Sequence, residues 1–194
     1  MEKSIPPFLR WSDYAVLALT LFLIFCLLFE PYLSIPPWLF WVGKWHPLVL
    51  HFPIVLLLGG VLWSFYGRGL SPHFMVFMTL VTLITAISGF FLGTGGDVDG
   101  ALLQWHRYAG GGLALLVALW YAVWRNSTSR EYGIKILQGI IAILVLVTGH
   151  YGGMLTHGPD FLALPTSRET KPLSENPLVY EEAVFPILDA NCIS

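Results

Sequence analysis

The chain has 194 residues, of which 56% are hydrophobic and only 11% charged, with a formal net charge of -2. A soluble domain carries about a quarter charged residues, so this balance points to a membrane protein and excludes the basic surface that nucleic acid requires. Two cysteines, Cys26 and Cys192, rule out a disulfide framework or a thiolate metal cluster.

Five apolar stretches are long enough to cross all or most of a hydrocarbon core about 30 Å thick. They run over 13–29, 46–66, 74–93, 108–124 and 134–151. The predicted fold is therefore an all-α integral membrane bundle of five transmembrane helices, spanning residues 1–157. The first stretch is preceded by Lys3 and Arg10, exceeds the length of a signal-peptide core and lacks a small-residue cleavage pattern, so a retained signal anchor is expected. Lys3, Arg10, Arg68, Arg125, Arg130 and Lys135 fall on the side of the N-terminus, against Lys44 and Arg107 opposite. That bias places the N-terminus in the cytoplasm and the C-terminal tail on the opposite side of the membrane. Tryptophans form two candidate belts, Trp11, Trp63, Trp120 and Trp124 at one level and Trp38, Trp41, Trp45 and Trp105 at the other.

Between the first and second stretches, LSIPPWLFWVGKW (33–45) is broken by Pro36 and Pro37 and rich in tryptophan. It is expected to lie along the outer interface. The short polar connections YGRGLSPH and RNSTSREYGIK favour antiparallel neighbours in a compact bundle. No internal repeat stands out along the chain. From Gly158 the composition turns polar and proline-punctuated, which defines a periplasmic linker over 158–179.

Five of the six histidines, His46, His51, His106, His150 and His157, fall toward the outer face, while His73 opens the third stretch on the other side. An unpaired imidazole in hydrocarbon costs several kcal/mol, so rings on three helices at one depth should face inward and find partners. His46 and His51 are separated by about 140° of azimuth and about 7.5 Å of rise on a continuous helix. Pro47 suits a first helical position, and Pro53 removes an interior hydrogen bond, so the prolines set where these rings point. Gly110 lies one turn inward of His106, Gly59 on the stripe of His51, and Gly139 on that of His150, which together could leave a slot. A flat macrocycle between helices needs such a slot and one imidazole on each side of its iron.

His51 with His106 or His150 is the expected axial pair of a b-type haem, with His46 and His157 in reserve, and four rings at one level could serve two haems. Arg107 could meet a propionate. The competing explanations are GxxxG-type packing without a cofactor, a polar helix-packing network, Arg107 paired with Asp97 or Asp99, and zinc or copper on three or four imidazoles. No nucleophile elbow, H-E-x-x-H pair or phosphate loop is present, so a hydrolase is disfavoured.

The motifs HPLVLHFPIVLLLGG (46–60), WHRYAGG (105–111) and TGHYGGML (148–155) resemble a family of small polytopic bacterial membrane proteins without a settled function. EAVFPILDANC (182–192) resembles the opening of a planctomycete-type cytochrome c domain, so residues 180–194 are expected to begin such a domain. The ending matches the first three positions of C-x-x-C-H, and haem c is expected only if the chain continues past Ser194. What the pairing of resemblances implies is a membrane electron-transfer subunit of a respiratory complex, exchanging electrons with a periplasmic c-type haem domain or partner. Quinone is a candidate partner on the membrane side, with no residue pattern that defines its pocket. The alternative is a non-catalytic anchor that tethers a periplasmic domain.

Overall fold

The computed structural model describes residues 7–67, 69–96, 100–126, 131–158, 161–162 and 179–188. The chain divides into two compact units, residues 1–161 and 162–194. Among the described residues there is no strand, and the all-helical expectation holds.

In the first unit, α1 (Pro7–Phe29) ends where Pro31 cannot continue it, and a 3-10 turn, Glu30–Tyr32, follows. α2 (Pro37–Gly43), α3 (His46–Val49) and α4 (His51–Phe65) come next. The segments on either side of Leu50 meet at 45°. Pro53 explains the break, because the Val49 carbonyl has no N–H to receive there. Gly67, at φ 72, turns the chain toward α5 (Pro72–Gly95). Ser71 caps α5 by accepting from the Phe74 N–H at 3.3 Å, with Pro72 in the first turn. α6 (Ala101–Asn126) and α7 (Glu131–His157) complete the unit, and Gly158, at φ 89, stops α7 with its N–H on the Met154 carbonyl.

Packing makes a closed ring, since α4 meets α5, α5 meets α6, α6 meets α7, and α7 returns to α4. α1 covers α5 and α6 from outside, and α2 docks on α5. α5 is consequently the central helix: 61% of its apolar window is buried, against 17% for α1 and α7. Four of its hydroxyls bond back to the helix's own carbonyls, among them Thr82 on the Met78 carbonyl at 2.7 Å and Thr94 on the Phe90 carbonyl at 2.8 Å, while Thr79 Oγ1 is buried without a partner.

Among the described residues three helices are long and apolar enough to cross a membrane, Pro7–Tyr32, Pro72–Gly95 and Tyr132–His157, and the bent pair on either side of Leu50 would make a fourth if it is one span rather than a re-entrant loop. The fifth expected span, α6, falls short of that apolarity because Gln104, His106, Arg107 and Arg125 lie within it. The outer surface carries many exposed large apolar side chains, among them Trp11, Leu28, Val55, Ile143 and Leu146, as a chain solvated by hydrocarbon would.

Two details differ from expectation. Trp120, read as a belt residue, is 1% exposed and fills the core between helices. The 33–45 segment does more than lie along a surface: Gly43 of α2 packs directly on the α5 backbone, where a Cβ would stand 2.6 Å from the Leu92 nitrogen.

In the second unit, a π-helical turn, Val179–Val184, runs into α8 (Phe185–Leu188). Most of the expected linker, together with Cys192 and the haem c motif it would begin, lies outside the described residues.

Candidate site at the His46 and His106 pair

The break at Leu50 separates the directions of the two histidines of HPLVLHFP. His46, on its own short turn, points inward against α5, whereas His51 is exposed at the start of α4. The inward ring is held by the Thr85 carbonyl, 3.0 Å from Nδ1, with Ser88 Oγ at 3.4 Å. On α6, His106 is held in the same way by the Thr148 carbonyl of α7, 3.1 Å from Nδ1. A carbonyl oxygen can only accept, so each Nδ1 carries the hydrogen and each Nε2 of the neutral ring keeps its lone pair. Metal-binding imidazoles are set up in this manner, with one nitrogen tied to a backbone carbonyl and the other free to donate.

The two rings meet in a T-shaped arrangement, centroids 6.4 Å apart and planes at 80°. Both line a small cavity of about 40 Å³ with Leu27, Phe90, Leu103 and Arg107. That volume suits one to three waters, far below the several hundred Å³ of a typical organic-ligand pocket. Glycines let the rings seat flat on the neighbouring helices. A Cβ on Gly89 would stand 2.7 Å from His46 Cε1, and one on Gly152 would stand 3.0 Å from His106 Cε1.

Arg107 is paired with Glu30 at the end of α1, and its guanidinium lies 5.6 Å from the Phe90 ring centroid. Its expected partners were a propionate or the aspartates of the 93–108 loop; Asp97 and Asp99 lie outside the described residues. Arg107 Nε is buried without a hydrogen-bond partner.

The remaining candidates lie apart from the pair. His150 and His157 are exposed and surround Phe161, with centroid distances of 5.8 and 6.0 Å. His73 stacks on Phe8 at 4.6 Å. Among the described residues no three histidine, cysteine or carboxylate side chains come together, so the expected convergence of His51, His106 and His150 is absent there. Gly59 and Gly139 front open space, and a Cβ on Gly110 would make ordinary contact with Thr148 Cγ2 at 3.5 Å. Sequence reasoning missed Glu30, Thr85, Gly89 and Gly152, although TGHYGG contains the last with its Thr148.

Comparison of the chain with protein-family models, with curated proteins and with solved structures finds no match.

Proposed function

We propose that the chain is a membrane electron-transfer subunit in which His46 and His106 are the two protein ligands of one b-type haem near the periplasmic face. In this reading α1, α3 with α4, α5, α6 and α7 make five crossings of the bacterial inner membrane. The polar ends of α6 leave it, at about 39 Å, long enough to cross, and it packs between two span-competent helices. The Lys and Arg bias supports a cytoplasmic N-terminus, and the tail then leads toward a c-type haem domain or partner outside.

The observation that carries the reading is the donor set. Two imidazoles from different helices, each with its Nδ1 tied to a carbonyl, offer two Nε2 donors. Haem brings four nitrogens of its own and asks the protein for two, whereas a structural zinc ion asks for four. With centroids 6.4 Å apart, the two rings are near enough for both to serve one metal. A haem held there would supply a one-electron couple that changes little in ligation between its two states. The donors fit a haem, but the space as it stands, about 40 Å³, does not. Seating a macrocycle would require Leu23, Leu27 and Leu103 to move away from the cavity they now close.

That closure favours a second reading, an anchor whose paired imidazoles form a polar junction around a water or a bare ion. A reduced-minus-oxidised visible spectrum of the protein purified from membranes separates the two. The haem reading expects a sharp reduced α band, lost in His46→Ala and His106→Ala but retained in His51→Ala, His150→Ala and His157→Ala. An assembled, colourless protein refutes it, and stoichiometric copper or zinc by elemental analysis would then identify a bare ion.

A further inference from the structure

The His46 and His106 arrangements share more than their chemistry. Each histidine follows a tryptophan, Trp45 or Trp105; His46 opens α3, and His106 lies in the second turn of α6. Each donates to a threonine carbonyl, 39 residues on in one case and 42 in the other. Each ring lies on the glycine one turn after that threonine, in T-A-I-S-G (85–89) and T-G-H-Y-G (148–152).

The correspondence extends along the helices. At an offset of 60, the difference between 106 and 46, the buried residues of α4, Pro53, Leu57, Gly60 and Val61, fall on Leu113, Val117, Trp120 and Tyr121, all buried in α6. At an offset of 63, the difference between 148 and 85, Met75, Met78 and Thr82 of α5 fall on Gln138, Ile141 and Val145, all buried in α7. Exchanging α4 with α6 and α5 with α7 maps every contact of the four-helix ring onto another contact of that ring. Side-chain identities are mostly lost, which is why no repeat stands out in the sequence; the buried positions of α4 and α7 recur in α6 and α5, while the central α5 buries more, so that its Leu83 and Ile87 fall on the exposed Leu146 and His150. Both hairpins run in the same sense, so the axis relating them lies along the helices.

We propose that Gly89 with the Thr85 carbonyl, and Gly152 with the Thr148 carbonyl, are two equivalent positioning devices of a duplicated hairpin. Each fixes its imidazole as the Nδ1–H form and leaves Nε2 as the free donor beside the cavity that both rings line. The site is therefore a symmetric two-donor site, suited to a ligand with two equivalent faces or two equivalent coordination positions. The identity of that ligand rests on the functional reading above; the placement of the ring protons does not.

Ring-nitrogen NMR of the ¹⁵N-histidine-labelled protein in detergent tests this without any cofactor. The expected result is the Nδ1–H pattern at both His46 and His106. Gly89→Ala should change the pattern of His46 and spare His106, Gly152→Ala should do the reverse, and Gly112→Ala, whose Cβ meets open space, should change neither. Should Gly89→Ala fail to assemble, adding His46→Ala removes the ring that its Cβ would strike, and assembly should return. Wild-type patterns at both rings in both glycine variants, or no recovery in the double variant, would overturn the proposal. Expected patterns in a protein without pigment would leave the positioning devices standing and refute the haem reading alone.

Discussion

Arg107 and Glu30, 77 residues apart in sequence, form an ion pair that ties the end of α1 to the opening turns of α6, one residue from His106. The guanidinium side chain is 8% exposed and the carboxylate 27%, so the pair is desolvated mainly on the arginine side. A Cβ on Gly93 would stand 3.2 Å from Nη2, so the guanidinium takes up the space that this glycine leaves. Removing the carboxylate strands a buried cation, which is costlier than removing both charges.

Glu30→Gln should therefore destabilise the bundle by about 2 kcal/mol. Adding Arg107→Met should recover part of that loss, because the stranded charge is gone. Thermal unfolding of the four proteins of this cycle in one detergent checks both statements; a double variant no better than Glu30→Gln would contradict the second.

At the other end of the same two helices, Asp13 accepts from Tyr121 Oη at 2.7 Å and from Arg125 Nε and Nη2 at 3.2 and 3.1 Å. This forked contact clamps α1 to α6 independently of the histidine pair. Asp13→Asn and Arg125→Lys should each cost about 1 kcal/mol. Hydrogen exchange should rise in the first turns of α1 while the ring-proton patterns of His46 and His106 stay unchanged.

These two clamps show where legibility in the sequence ended. Long apolar runs made α1, α5 and α7 visible, because hydrocarbon solvation is a property of each segment alone. The inward turn of His46 depended on a break at Leu50, which Pro47 and Pro53 hinted at without fixing its direction. A continuous helix would have put His51 deeper and made it the better ligand, hence the expectation of a His51 pair. Glu30, Thr85 and Thr148 act through a side chain or carbonyl on another helix, and no local pattern announces such a partner. Trp120 shows the same limit, since a tryptophan near a helix end reads as interfacial until a neighbour covers it. The duplication was hidden for a different reason: what repeats is which positions are buried, a quantity that packing defines.

Glycines separate by what lies opposite them. Gly43→Ala should destabilise by about 2 to 3 kcal/mol through overpacking, because its Cβ would meet the Leu92 nitrogen at 2.6 Å and Cα at 2.9 Å, backbone atoms that cannot swing aside. Gly59→Ala, with nothing within 4 Å, should instead stabilise α4 by about 0.5 to 1 kcal/mol through helix propensity. Melting temperatures of the two variants should move in opposite directions, and a loss on Gly59→Ala would reveal a contact at that face that the packing does not contain.

A final test concerns Gln138, the buried amide of α7, which is 1% exposed and donates to Ser64 Oγ on α4 at 2.7 Å while its Oε1 has no partner. In the duplicated register it stands where α5 has Met75, so an apolar side chain is compatible with the position by the fold's own precedent. Interhelical hydrogen bonds inside membrane bundles contribute about 0.6 kcal/mol on average. Gln138→Met gives up that bond but also relieves an unsatisfied carbonyl oxygen, and Ser64 can turn its hydroxyl to the carbonyl one turn before it. The two effects oppose each other, so stability should change by less than about 1 kcal/mol. Gln138→Glu should cost more, because a carboxyl at that buried position cannot ionise without a partner. Unfolding of the two variants side by side decides the matter: a large loss on Gln138→Met would mean that Oε1 holds a donor essential to the bundle.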